Sequence, residues 1–135
     1  MLKQLSHVCL GSTDLARTVG FYGDLLGCRV VHEFRNAAGD LYGLFLLVRN
    51  GTFLEFFLER EPKGKGGLYR HLCFEVESIE AMAERMRKAG YAAEIRRGRT
   101  DRVLQFFIED PDGNTVEFQE HDPQSVLYPY VAKSV

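Results

Sequence analysis

Residues 51–56 read GTFLEF and residues 113–118 read GNTVEF, so both stretches follow the frame Gly-x-x-apolar-Glu-Phe. Upstream of each stretch lies a strand-like run with the frame His-apolar-Cys-apolar, at residues 7–10 and 71–74. His7 precedes His71 by 64 residues, and Glu55 precedes Glu117 by 62. One offset of about 63 residues relates both pairs, which is how a duplicated unit appears in a sequence.

The segments around these motifs have the same order in both halves. N-cap residues at 12–14 begin an apolar-periodic helix that stops at Gly27, and Ser78 begins a second helix that stops at Gly90. Each helix follows one strand and precedes three, predicted at 29–34, 41–48 and 52–59, then at 91–96, 103–109 and 115–120. The pattern predicts an α+β fold of two tandem βαβββ modules, whose curved mixed sheets form an open cleft or half-barrel with the helices on the outer faces.

Linker composition separates the two halves. Residues 61–68 are rich in Gly and Lys and include Pro62, which blocks strand continuation. We therefore expect a first module at 1–60, a linker at 61–68, a second module at 69–121 and a C-terminal tail at 122–135. Together they are expected to form one structural domain.

Composition excludes several classes of function. The 135 residues carry a net charge of −2 with no dense basic run, which argues against a nucleic-acid partner. No apolar run is long enough to span a bilayer, so no membrane partner is expected. Three cysteines without a CxxC pair argue against a disulfide framework and favour a reducing compartment. These features predict a cytoplasmic protein with a small-molecule substrate.

Strand alternation predicts where the repeated polar side chains lie. Residues two apart in a strand share a face, so His71 and Cys73 point away from Leu72 and Phe74. The apolar faces are where amphipathic helices pack. If the opposite faces of the two sheets oppose each other, one cleft gathers four polar residues and an apolar wall, namely His7, Glu55, His71 and Glu117 with Phe53, Phe57 and Phe107.

Two imidazoles and two carboxylates suit one divalent metal ion per site, with nickel, cobalt, zinc, manganese and iron all compatible. A single strand His is usually only hydrogen-bonded, and a single strand Glu usually faces solvent. Glu55, however, stands in the otherwise apolar run at residues 53–58, where an unpaired buried carboxylate costs several kcal/mol. A metal ion or a nearby cation would relieve that cost.

This order of His, Glu, His and Glu on the first, fourth, fifth and eighth strands resembles the vicinal oxygen chelate superfamily, which includes glyoxalases, bleomycin-resistance proteins and extradiol dioxygenases. The resemblance spans nearly the whole chain and is most specific at residues 109–117, which read EDPDGNTVE. By similarity, the metal-ligand positions of bacterial-type glyoxalase I fall on His7, Glu55, His71 and Glu117.

The resemblance implies a metal-dependent isomerase or lyase that acts through a metal-stabilised enediolate on a small vicinal-oxygen substrate. Glu117 is the first candidate for the proton-transferring base, and Glu55 is the second. An iron(II) ring-cleavage dioxygenase is one alternative, although that branch uses only two His and one Glu. A metal-free antibiotic-binding protein is another, although such relatives generally lack the His and Glu set.

Two positions depart from glyoxalase I where it holds the carboxylate of glutathione. The expected Arg of the first strand aligns with Gly11, and the expected Asn after the fourth-strand Glu aligns near Glu59. Glu59 is therefore a candidate substrate-binding residue that would repel a carboxylate, and use of a glutathione adduct stays open. The family also implies a homodimer, with the site either within one chain or across the dimer.

Overall fold

The computed structural model describes residues 1–61 and 68–131, which excludes most of the predicted linker and the last four residues of the tail. The chain divides into two compact units, Met1–Gly67 and Leu68–Val135. Each unit contains a four-stranded mixed sheet with one helical segment between its first two strands. The predicted α+β class with two βαβββ repeats is confirmed.

The first unit consists of β1 (His7–Ser12), α1 (Leu15–Thr18), a π-helical segment (Val19–Leu25), β2 (Arg29–Arg35), β3 (Leu41–Arg49) and β4 (Thr52–Leu58). Its strands lie in the order β1-β4-β3-β2, with β1 parallel to β4 and the other pairs antiparallel. The core of this unit lies on one face of the sheet and includes Tyr22, Leu44, Leu46, Leu54 and Phe56.

The second unit consists of β5 (Leu72–Glu75), α2 (Ile79–Lys88), β6 (Arg96–Arg97), β7 (Leu104–Glu109) and β8 (Thr115–Glu120), followed by a 3-10 turn at Tyr128–Tyr130. Its strand order, β5-β8-β7-β6, repeats that of the first unit, and β5 again runs parallel to β8. The equivalent core contains Ile79, Met86, Phe106, Val116 and Phe118.

Both helical segments begin and end as their sequences predict. The Asp14 side chain accepts a hydrogen bond from the Arg17 backbone N–H (3.1 Å), and Ser78 caps α2 through the Ala81 N–H in the same way (3.1 Å). Beyond the ends, Gly27 and Gly90 adopt φ values of +84° and +95°, which only glycine accepts without strain. The first helix differs from the predicted regular one because its second half is π-helical.

The predicted strand at residues 91–96 is wrong for most of its length, since only Arg96–Arg97 pairs with β7. The backbone before it is engaged elsewhere. The Tyr91 N–H donates to the Met86 carbonyl (2.9 Å), while the Ala93 carbonyl accepts from the Arg87 Nε (2.9 Å). These bonds tie residues 91–93 to the end of α2 and leave β6 as a two-residue edge.

A tight turn brings the chain into β8. Asp110 is buried, and its Oδ1 accepts hydrogen bonds from the backbone N–H groups of Asp112 and Asn114 (both 2.9 Å). Its Oδ2 accepts from the Asn114 side-chain amide (2.9 Å), and Gly113 adopts φ +79°. This side-chain network fixes where β8 begins, and so determines which face of the sheet receives Glu117.

Candidate metal centre

In the first unit, parallel pairing of β1 and β4 places His7 and Glu55 on the same face of the sheet. Cys9 is the register partner of Glu55 on one side and Phe45 is its partner on the other. His7, two residues before Cys9, lies with its Nε2 3.7 Å from Glu55 Oε1. The His7 ring meets Phe45 edge-on at 5.7 Å between centroids, so an imidazole, a carboxylate and a phenyl ring form one group.

The second unit repeats this arrangement. Glu117 pairs with Cys73 of β5 and Phe107 of β7. His71 lies immediately before β5, and its Nε2 is 2.8 Å from Glu117 Oε2. Its ring meets Phe107 edge-on at 5.6 Å. The duplicated sequence has therefore placed the same three chemical groups on equivalent strands.

The two carboxylates differ in their surroundings. The Glu117 side chain is 5% exposed, whereas that of Glu55 is 15% exposed. Glu117 Oε1 also accepts a hydrogen bond from the Gln119 side-chain amide at 2.7 Å. Both oxygens of Glu117 thus have close partners, one an amide and the other an imidazole, which satisfies a carboxylate that would be costly to bury alone.

A thiol lies beside each carboxylate. Burial, with a further contribution from Glu117, raises the pKa of Cys73 to about 12. Burial and the neighbouring Glu55 also raise the pKa of Cys9. A thiol with a raised pKa holds little thiolate at neutral pH, and thiolate is the form that ligates metals or attacks electrophiles. Neither thiol is therefore a candidate metal ligand or nucleophile at neutral pH.

The three predicted wall residues lie in both units. Phe53 and Phe57 belong to β4 in the first unit, and Phe107 belongs to β7 in the second, where it is exposed. The Phe57 ring lies directly over Gly43, so that a Cβ added to Gly43 would be 2.5 Å from the ring. The Phe57 ring also contacts Phe34 at 5.1 Å and stacks on Tyr42 at 6.2 Å.

Sequence reasoning missed two residues of these groups, Phe45 and Gln119. Phe45 precedes Phe107 by 62 residues, the same interval that separates Glu55 from Glu117. Extending the repeat to the third strand would have found it. Gln119 has no polar equivalent in the first unit, because the residue 62 positions earlier is Phe57. Its role follows only from the direction of its side chain.

Gly11 and Glu59, the two positions that depart from glyoxalase I, are neighbours in the structure. A Cβ placed on Gly11 would lie 3.4 Å from Glu59 Cβ, which is ordinary van der Waals distance. The Glu59 N–H donates to the Ser12 carbonyl (2.7 Å), continuing the pairing of β1 with the chain after β4. Glu59 itself is exposed, so its carboxylate is available to a ligand.

The four predicted ligands form two His–Glu pairs, one in each unit. Within residues 1–61 and 68–131, no three His, Cys, Asp or Glu side chains are grouped as a metal site. The donors nevertheless fit a divalent ion, since each pair offers one imidazole nitrogen and one carboxylate oxygen on the same face. In the same described ranges, no helix is long and apolar enough to cross a membrane.

Comparison with known proteins gives the same family that the motifs resemble. Residues 4–118 match the model of the Glyoxalase/Bleomycin resistance protein/Dioxygenase superfamily. The chain is 30% identical over 125 residues to the uncharacterized protein YaeR of Escherichia coli, covering 88% of this chain and 97% of that protein. It is also 30% identical over 128 residues to a lactoylglutathione lyase of Haemophilus influenzae, covering 87% and 93%.

A solved structure supports the fold as well. The crystal structure of the glyoxalase family protein from Enterococcus faecalis is 29% identical and superimposes with a TM-score of 0.73, covering 87% of this chain and 98% of that one. Two sheets of four strands, a repeated His–Glu pair and these matches lead to one assignment. The chain belongs to the Glyoxalase/Bleomycin resistance protein/Dioxygenase superfamily.

Proposed function

We propose that this protein is a metal-dependent isomerase or lyase of the glyoxalase I type, which moves a proton between carbons of a small substrate with two adjacent oxygen atoms. The observation that supports this proposal is the repeated His–Glu pair. Each unit places one carboxylate beside one imidazole at the same strand position. The two pairs together supply the nitrogen and oxygen donors that a metal enzyme of this type needs.

The ion would be held by His7, Glu55, His71 and Glu117. A divalent ion in such a site supplies Lewis acidity, which polarises substrate oxygens and stabilises negative charge that develops on them. Nickel, cobalt, zinc, manganese and iron(II) all suit nitrogen and carboxylate donors. His71 would bind the ion through Nε2, the ring nitrogen nearer Glu117, because a metal ligand must offer a free nitrogen lone pair.

The chain's own residues would bind the substrate and move the proton. Glu117 and Glu55 are the carboxylates near which a substrate C–H would be placed, and each can accept the proton on one oxygen and return it to the adjacent carbon. The phenyl rings of Phe53, Phe57 and Phe107 would exclude water from the developing charge. In each unit a phenyl ring lies on the same face as the carboxylate, which also favours a substrate with an apolar part.

Glu59 argues against glutathione as part of that substrate. Its exposed carboxylate lies beside Gly11, so both positions that would hold the carboxylate of glutathione lack a donor. Two like charges brought together are disfavoured, and no cation of the chain's first strand offsets them. We propose that the enzyme acts on a substrate that is neutral or cationic at this end.

Metal analysis and proton exchange test the proposal together. Protein purified without a His tag is analysed for bound metal, then incubated in heavy water with hemithioacetals, acyl thioesters and catechols. We expect stoichiometric metal that is lost in His71→Ala, with deuterium entering a substrate C–H. Metal-free protein that binds hydrophobic cations would instead indicate a binding protein, and oxygen uptake with catechols would indicate a dioxygenase. Either result would overturn the proposal.

We also propose that modules 1–60 and 69–121, joined by linker 61–68, form one structural domain, and that the protein is a cytoplasmic homodimer. Sedimentation gives the oligomeric state directly. Mixing His7→Ala with His71→Ala then tests where the site is completed. Activity regained on mixing indicates a site shared across the dimer, whereas no recovery indicates a site within one chain.

A further inference from the structure

Two residues after each ligand carboxylate, the two units differ. Position 57 in the first unit is Phe, and its repeat equivalent in the second unit is Gln119. Both side chains lie on the same face as the carboxylate that precedes them, since residues two apart in a strand share a face. Phe57 offers no hydrogen-bond donor, whereas the Gln119 amide donates to Glu117 Oε1 at 2.7 Å.

Glu117 is consequently held on both oxygens. His71 Nε2 lies 2.8 Å from Oε2, Gln119 Nε2 lies 2.7 Å from Oε1, and the side chain is almost fully buried. If Glu117 swung away, its carboxylate would lose this hydrogen bond from the part-buried Gln119 amide. Taking a hydrogen-bond partner away from a buried carboxylate is unfavourable, so Glu117 is held in this direction.

Glu55 is held far less firmly. Its nearest imidazole nitrogen, on His7, is 3.7 Å away, which is beyond hydrogen-bonding distance. The Cys9 thiol is its other polar neighbour among the described residues, and Cys73 is the matching neighbour of Glu117. Because the thiols are present in both units, they do not distinguish the two carboxylates. The glutamine amide and the shorter imidazole distance do.

We propose that Gln119 is a positioning residue that would hold Glu117 as the firmer carboxylate ligand of a bound metal ion, and that Glu55 is the carboxylate that would be free to exchange a proton with the substrate. This inference rests on the proposed function and reverses the order of the two candidate bases that the family pattern indicates. Glu55 takes the substrate proton as the C–H bond breaks, the electron pair stays on the substrate, and Glu55 then returns the proton to the neighbouring carbon.

Cobalt(II) alone tests the inference, because its visible absorption reports both affinity and ligand geometry. Cobalt(II) is titrated into untagged, metal-stripped protein. The proteins compared are the wild type and the variants Gln119→Met, Glu55→Gln and Glu117→Gln. Gln105→Met is the matched control, since Gln105 is the cross-strand partner of Gln119 and Phe107, not Gln105, is the partner of Glu117. Removing an outer partner of a ligand typically weakens metal binding about 10- to 100-fold.

We expect Gln119→Met to weaken cobalt binding about tenfold and to change the absorption band, while Gln105→Met leaves both as in wild type. Glu117→Gln should weaken binding more than Glu55→Gln. If Gln119→Met lowers the unfolding midpoint in chelator, Gln119→Asn is used as well, because it keeps the amide but is too short to reach Glu117.

Three results would overturn the inference. Unchanged affinity and absorption in Gln119→Met and Gln119→Asn would show that the amide does not fix a ligand. A greater loss in Glu55→Gln than in Glu117→Gln would show that Glu55 is the firmer ligand. Both results leave the proposed metal function intact. Wild-type protein that binds no cobalt, nickel, zinc, manganese or iron(II) would instead remove the proposed function, and this inference with it.

Discussion

His71 Nε2 lies 2.8 Å from Glu117 Oε2, and the carboxylate it contacts is almost fully buried. The equivalent distance from His7 to Glu55 is 3.7 Å, and that carboxylate is three times as exposed. The imidazole of His71 therefore lowers the free-energy cost of burying the Glu117 carboxylate. That of His7 contributes less to the stability of its own unit.

We predict that His71→Ala destabilises the metal-free protein more than His7→Ala does. Taking one partner from a buried polar group typically costs about 1–3 kcal/mol, whereas water can reach Glu55 once His7 is removed. Urea unfolding in the presence of a chelator measures both variants, each as the other's control. Equal losses would show that burial of the carboxylate does not set the cost.

The ion pair between Arg97 and Asp122 gives a pH dependence. The Arg97 guanidinium donates to both carboxylate oxygens of Asp122, at 3.0 and 2.7 Å. These hydrogen bonds lower the pKa of Asp122 from 3.8 to about 2. Since the pKa is lower in the folded state, the stabilisation is fully present above about pH 4 and is lost as the pH falls through about 2.

We therefore expect Asp122→Asn to lower the thermal midpoint at pH 6 and to have little effect at pH 2 relative to wild type. Glu94→Gln is the control, because Glu94 and Arg96 form a well-exposed pair that should contribute little at either pH. A difference between wild type and Asp122→Asn that is the same at pH 6 and pH 2 would contradict the pKa argument.

Cys28 and Cys73 should be slow to react with alkylating reagents. Burial raises the pKa of Cys28 from 9.0 to about 11, so at pH 8 it holds ~100-fold less thiolate than an ordinary thiol. Cys73, with a pKa of about 12, should react more slowly still. Alkylation rates followed by mass spectrometry from pH 7 to 10 should increase steadily with pH. A plateau below pH 9 would contradict both values, and urea-unfolded protein provides the ordinary rate.

Gly43 should be required for the aromatic cluster of the first unit. A Cβ at this position would lie 2.5 Å from the Phe57 ring and 2.8 Å from the Phe56 carbonyl, and the backbone oxygen cannot rotate away. We predict that Gly43→Ala costs about 1–3 kcal/mol through overpacking. Gly20→Ala is the control, because nothing lies within 4 Å of its Cβ position. Equal unfolding midpoints for the two variants would contradict this prediction.

The repeat predicts much of the fold and both members of each His–Glu pair. Period-two alternation places Glu55 and Glu117 on the correct faces, and the spacing of Leu15, Phe21 and Tyr22 indicates a helix. The π-helical second half of that helix has no such signal, because π segments are rare and short and leave no distinct period in the sequence. The strand predicted at 91–96 fails because Arg87 takes the Ala93 carbonyl, a contact that depends on how α2 meets the sheet.

The differences between the units were the hardest to predict. His7 and His71 occupy equivalent sequence positions, yet their distances to the paired carboxylates differ by 0.9 Å. A side-chain distance depends on rotamers and on packing from both sides, neither of which is encoded in residue spacing. The hydrogen bond from Gln119 to Glu117 belongs to the same class, since alternation predicts a shared face but not a bond.

The contact between Gly11 and Glu59 yields a prediction about substrate choice. A Cβ at Gly11 would make ordinary van der Waals contacts with Glu59 Cβ at 3.4 Å and Cγ at 3.9 Å, and Gly11 has no positive φ, so a side chain there is tolerated by the backbone. We predict that Gly11→Arg with Glu59→Asn increases kcat/KM for a glutathione hemithioacetal at least tenfold, because a carboxylate is replaced by a cation and an amide. Gly11→Lys with Glu59→Gln is a second test, and Glu61→Gln controls for a general loss of negative charge. A larger kcat/KM in the Glu61 variant alone would assign the effect to net charge, while no increase in either double variant would show that this end of the chain's site does not contact the glutathione carboxylate.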